Sequence, residues 1–153
     1  MKRSILVLLM VLLMASPLWA VGTASVTSRE SIRVLNAPQR MVLTITWVDD
    51  TNGTTLALNP ATYDITGWYL YSALTNPGDT APTDGYDITL VDADGVDIAG
   101  GMLMNRDQTN TELVNIGVGS HGYPVIRGTF TFTLSGNSVN GGEGTCILTF
   151  VAN

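Results

Sequence analysis

The strongest constraint on this chain is a two-residue period repeated in short segments. Between 41 and 48, Met41, Leu43, Ile45 and Trp47 fall on one side and Val42, Thr44, Thr46 and Val48 on the other. A strand produces that alternation and a helix does not. Between 129 and 134, Phe130, Phe132 and Leu134 share a side, and Thr129, Thr131 and Thr133 take the wetter one. From 145 to 151, Cys146, Leu148 and Phe150 alternate with Thr145, Ile147 and Thr149. Both sides of that last segment are fairly apolar, which predicts a central or well-covered strand. No window from 25 to 153 carries a 3.6-residue stripe; the stretch 107–116 is expected to form one helical turn at most.

Five further strands are expected at 25–34, 54–58, 67–74, 86–91 and 96–99. Turn chemistry separates them. Asp49-Asp50-Thr51-Asn52-Gly53 carries an Asn-Gly pair and reads as a hairpin. Asp92-Ala93-Asp94-Gly95 reads as a second, tighter one, with Gly95 free to take positive φ. The segment 136–144 is a Gly/Asn loop, and 76–85 (NPGDTAPTDG) is the one long Pro/Gly loop. Some eight short strands in one domain's length predict an all-β fold, a single antiparallel β-sandwich over residues 21–153. A small closed β-barrel is the alternative. The expected core includes Leu43, Ile45, Trp47, Phe130, Phe132 and Leu134.

Residues 1–20 have the order of a secretory signal. Lys2 and Arg3 precede an apolar run from 5 to 15, which Ser16 and Pro17 end. Leu18-Trp19-Ala20 offers cleavage after Ala20, and Gly22-Thr23-Ala24 offers a second site. The run falls short of the roughly 20 residues that span a bilayer. The expected location is therefore secreted or cell-surface, with membrane contact only through the uncleaved segment. Its removal takes the net charge from -6 to -8 and removes the one lysine, leaving Arg29, Arg33, Arg40, Arg106 and Arg127 as the cations. Such a chain is not expected to bind nucleic acid, which requires clustered positive charge.

The densest chemical feature is acidic: Asp79, Asp84, Asp87, Asp92, Asp94 and Asp97. Asp92, Asp94 and Asp97 are the calcium candidates, because calcium takes six to eight oxygens from carboxylates and loop carbonyls. The helical calcium-loop spacing is absent, and aspartates in turns more often bind their own backbone. Neither a metal nor any other cofactor is expected. His121 follows Ser120 in a Gly-rich loop, but adjacent Ser and His point apart and no third group is evident. Cys146 reads as a buried inert thiol before an interchain link, and as a link before a nucleophile. Tyr69 and Tyr71 fall on the face opposite Trp68 and Leu70 and are candidates for a glycan or partner surface. Asn52-Gly53-Thr54 matches a glycosylation sequon. The chain is expected not to be an enzyme, since no nucleophile or acid–base pair with a supporting group is apparent.

One set of motifs carries a family resemblance. Asn76-Pro77-Gly78, the run from Ala81-Pro82-Thr83-Asp84-Gly85 through Tyr86-Asp87-Ile88-Thr89-Leu90, then Asp92, Asp94-Gly95, Asp97 and Asn105-Arg106 resemble a small family of phage and prophage β-structural proteins. Ile45-Thr46-Trp47 and residues 128–134 match the flanking strands, so the likeness runs from 41 to 151. It implies a virion or virion-associated structural module, self-assembling or attached to a particle or cell surface, with a homo-oligomer or another structural protein as partner. The export segment sets this chain apart from phage proteins, which assemble in the cytoplasm. A secreted module that binds glycan or calcium is the alternative reading.

Overall fold

The structure, a computed structural model, describes residues 22–33, 35, 38–51, 53–58, 62–116 and 128–152. Among these residues, eight strands form two antiparallel sheets. They are β1 (Thr23–Ile32), β2 (Gln39–Asp49), β3 (Thr54–Ala57), β4 (Tyr69–Pro77), β5 (Asp87–Asp92), β6 (Glu112–Asn115), β7 (Phe130–Ser135) and β8 (Gly142–Ala152). The larger sheet runs β1-β2-β8-β4-β6 and the smaller β3-β7-β5. The fold is the expected sandwich. The two sheets remain separate, so the strands do not close into one barrel.

The alternation built this architecture as anticipated. Leu43, Ile45, Phe132 and Leu134 are fully buried, with Trp47 and Phe130 nearly so. The doubly apolar β8 lies at the centre of the large sheet, between β2 and β4. Its Cys146, Leu148 and Phe150 meet the small sheet, Phe150 packing on Phe130 at 6.0 Å between ring centres.

Four expectations are corrected. The 49–53 turn is not a hairpin, for β2 and β3 belong to different sheets. Asp49 is buried and accepts hydrogen bonds from Thr54 Oγ1 (2.5 Å) and Asn137 Nδ2 (3.0 Å). Thr54 pairs with Leu134 instead of returning along β2. The turn, with Gly53 at φ 86°, thus crosses the end of the sandwich; Asn52 of the sequon lies outside the described residues. Next, 96–99 is not a strand. A single bridge joins Asp97 to Val91, and turns follow, because the Asp97 carboxylate captures the backbone N–H groups a strand would share.

The third correction concerns 107–116, where β6 replaces the expected helical turn and pairs with β4. Only Val114 of this strand is packed against the core and Leu113 points out, so the period is too short to register in sequence. Its one turn-like part is the Asp107 cap on the N–H groups of Thr109 and Asn110. Asn110, first through its side-chain amide, and the Thr109 amide hold the exposed Asp107 carboxyl below its ordinary pKa. Finally, the loop before β8 is shorter than read, since Gly142 and Gly144 are strand residues. Gly144 pairs with Trp47, whose indole occupies the space a side chain would need.

Candidate functional site

The acidic turns are built as fold joints. After β5, Gly95 adopts φ 82° and donates its N–H to Asp92 O (3.1 Å). Asp92 Oδ1 accepts from the N–H groups of Asp94 (3.0 Å) and Val96 (2.9 Å). Asp97 Oδ1 accepts from Leu90 N (3.0 Å) and Ala99 N (3.1 Å), and its Oδ2 from Gly101 N (2.8 Å). Asp87 Oδ1 accepts from Asn105 N (2.8 Å), which steadies a non-glycine residue at φ 55°. Tyr86 and Arg106 form a bridge beside it, and Arg106 ion-pairs with Glu112 at 3.3 Å. Asp87, Asp92, Asp97 and the Tyr86–Arg106 bridge therefore clamp β5 to the chain that follows it. Among the described residues, no group of three or more His, Cys, Asp or Glu is placed to hold a metal ion.

This geometry separates three aspartates that look alike in sequence. The Asp94 carboxylate bonds nothing among the described residues, whereas that of Asp97 serves three amides. Asp94→Ala should change stability by under about 0.5 kcal/mol. Asp97→Ala should cost about 2–3 kcal/mol, since partly buried amides lose their acceptor. Gly95→Val should cost about 1–2 kcal/mol for a β-branched residue at positive φ. Chelator or millimolar calcium should leave the melting temperature unchanged to about 1 °C, since the carboxylates of Asp92 and Asp97 are taken up by backbone amides and a ligand shifts stability only by binding the folded state. Thermal denaturation of the three variants, with and without calcium, checks this. Equal effects of Asp94→Ala and Asp97→Ala, or a large calcium-dependent rise, would refute it.

Tyr69 and Tyr71 both lie off the core, but not as a flat pair. The ladder between β4 and β8 shifts between Leu70 and Ser72, so Tyr71 sits on a bulge. It is 44 % exposed, while Tyr69 is half-buried opposite Val151. A concave surface, missed in the sequence, occupies the other end of the same sheet. It is a trough of about 380 Å³ lined by Thr23, Ser25, Thr46, Val48, Glu143 and Thr145. Each is an outward position of an alternating strand, so composition alone makes it look like ordinary wet surface. Thr145 and Val151 are six residues apart along β8, roughly 20 Å. The trough and the tyrosines are therefore separate surfaces.

Cys146 is fully buried, and burial pushes its thiol up to about 12. Nearby, Tyr86 is raised to about 12, by burial first and then by Cys146. Tyr86 packs on Trp47 at 5.5 Å between ring centres, the neighbouring Thr75 hydroxyl offsets part of its rise, and Trp47 Nε1 is buried without a hydrogen-bond partner among the described residues. A thiol held protonated inside the core is a poor nucleophile and cannot reach another chain. A thiol-selective disulfide reagent at pH 8 should label nothing in the folded protein and one thiol per chain in denaturant. The raised value also predicts a sign. The thiol's contribution is intact below its unfolded value of about 8.5 and is lost as pH climbs from there toward 12. Rapid labelling of the native state would contradict both expectations. Ser120 and His121 lie outside the described residues.

No family model matches this chain, and no curated protein matches it in a sequence search. Among the described residues, no helix is long and apolar enough to cross a membrane.

Proposed function

We propose that this protein is a non-enzymatic, exported structural β module that assembles with further copies of itself or attaches to a particle or cell surface, in the manner of the phage-like virion proteins its central motif resembles. The observation that carries this reading is β1. It is a ten-residue strand at the edge of the large sheet, paired on one side only among the described residues. An open edge of that length presents a row of backbone donors and acceptors to another chain. Ile32 closes the strand 41 % exposed and Leu35 follows at 90 %, adding apolar surface at the same edge.

The test is the mass of the exported protein in solution, by light scattering, beside an Ile32→Lys/Leu35→Lys variant. The wild type should form a discrete oligomer, and the variant a monomer of unchanged melting temperature. A wild-type monomer at every concentration would refute self-assembly. A second reading, a secreted glycan-binding module, is favoured by the trough, where the hydroxyls of Thr23, Ser25, Thr46 and Thr145 stand beside Trp47 on a largely apolar surface. A glycan array on the same protein distinguishes the two, and a signal lost in Thr46→Arg would favour the second.

A further inference from the structure

Register sets the outward side chains of the large sheet in rows. In the middle row, Thr44, Ile147, Leu74 and Leu113 stand side by side on β2, β8, β4 and β6. Four residues to one side lie Arg40 on β2 and Val151 on β8, with Ile32 of β1 paired to Arg40. Four residues to the other side, Val48 and Glu143 take the corresponding places and line the trough. We propose that a second copy of this chain docks face to face on this sheet, about a two-fold axis along the middle row. Ile32 and Arg40 of each copy then enter the trough of the other, and Arg40 meets the partner's Glu143. Such docking presupposes the self-assembly proposed above and specifies the surface through which two copies meet.

The middle row suits an axis. A residue on a two-fold axis meets its own copy, which favours apolar side chains and disfavours charged ones. Ile147, Leu74 and Leu113 are apolar, and Leu113 is 62 % exposed. The two ends of the face are complementary. A half-turn about the row reverses the strands and lays the Arg40 end of one copy on the Glu143 end of the other, each about 13 Å from the axis. Arg40 is exposed and Ile32 is 41 % exposed, so both project where the opposite end is a hollow of about 380 Å³. Glu143 is the one charged residue of that hollow's described lining, and the Thr80 amide steadies it by donating to Oε1 at 3.3 Å. Opposite charges across an interface fix its register. A half-turn about β8, the central strand, would instead set Glu143 against its own copy. The face is also large enough. Five strands about 4.8 Å apart, with rows extending about 27 Å from Arg40 to Val48, make a plane of roughly 500–600 Å². Side-chain relief brings its accessible area to about the 800 Å² per partner of a standard interface. Twisted sheets pack in this manner about 10 Å apart, a gap that arginine and glutamate side chains bridge together.

Charge exchange tests the contact. The exported protein and its variants are weighed by sedimentation equilibrium over a concentration series, with melting temperatures as the check on folding. The wild type should be a dimer or a larger even-numbered assembly. Arg40→Glu sets a carboxylate against the partner's Glu143 and should raise the dissociation constant about 100-fold or more. Adding Glu143→Arg should recover most of that loss, because the pair is then restored in reverse. Leu113→Glu brings two carboxylates together at the axis and should separate the copies at an unchanged melting temperature. If Glu143→Arg does not fold, Arg40→Glu and Leu113→Glu decide the matter. An assembly unchanged by both of these overturns the face-to-face docking and leaves self-assembly through the β1 edge standing. A dimer lost in Arg40→Glu and not recovered in the folded double variant overturns the pairing of Arg40 with Glu143. A trimer overturns the two-fold axis. A wild type that is monomeric at every concentration overturns the self-assembly reading, and this proposal with it.

Discussion

Phe132→Ala should destabilise the domain by about 3–5 kcal/mol, enough to lower the melting temperature by roughly 10–20 °C. Phe132 is fully buried at the middle of the small sheet, paired with Leu56 on β3 and Leu90 on β5. The small sheet has only three strands, and β7 is the one held on both sides. Removing its central ring takes away the transfer free energy of the side chain and leaves a void bounded by backbone ladders, which close in poorly. Thr133→Ala, the next residue on the outer face, should change stability by under about 0.5 kcal/mol. Urea denaturation of both variants provides the comparison. Similar losses at the two positions would mean that the two faces of β7 are not inside and outside as described.

Gly144→Ala should cost about 2–3 kcal/mol, a large effect for one methyl group on a residue whose backbone is unremarkable for a strand. The added Cβ would lie 2.5 Å from Trp47 Cζ2 and 2.9 Å from both Trp47 Cε2 and the Asn76 carbonyl oxygen. The indole is wedged against Tyr86 and the carbonyl belongs to the β4 ladder, so neither yields cheaply. Trp47→Leu is destabilising in itself, but it should relieve part of the clash. The double variant should therefore be more stable than the sum of the two single losses predicts, by about 1 kcal/mol or more. A neutral Gly144→Ala, or strict additivity with Trp47→Leu, would show that the indole does not fill that space.

The candidate surfaces separate by how their residues acquire a role. Asp92, Asp94 and Asp97 look equivalent in the chain, and turn chemistry suggested backbone bonding for all of them. The folded arrangement divides the work unequally, because only Asp97 lies where the turn brings three amides around one carboxylate. The trough draws on β1, β2 and β8, which are neighbours in the large sheet but distant in sequence. Its hydroxyls are indistinguishable in sequence from those on any outer sheet face. The Tyr69–Tyr71 pair followed from alternation, but the bulge at Tyr71 came from register with β8, which a single strand does not encode.

The class of fold was readable from local order. Side chains on a strand alternate with a period of two, so a run such as Met41 to Val48 declares both its conformation and its buried face before any partner is known. Gly95 declared its turn for the same local reason, since positive φ is a property of one residue. Pairing is not local. The corner at 49–53 carries hairpin residues yet crosses between sheets, because the buried Asp49 carboxylate meets Thr54 and Asn137, the latter 88 positions away. β6 exists because β4 offers it a ladder, although its own four residues show too little alternation to announce it. Residues 96–99 have strand composition, but only Ile98 donates to a strand carbonyl, that of Leu90, while the Val96 and Ala99 amides donate to the carboxylates of Asp92 and Asp97. Strand formation depends on side-chain period and backbone preference, which neighbours in sequence supply. Sheet membership, register and the open edge at β1 depend on which backbone groups find partners across the whole chain, and that is settled only when the two sheets pack.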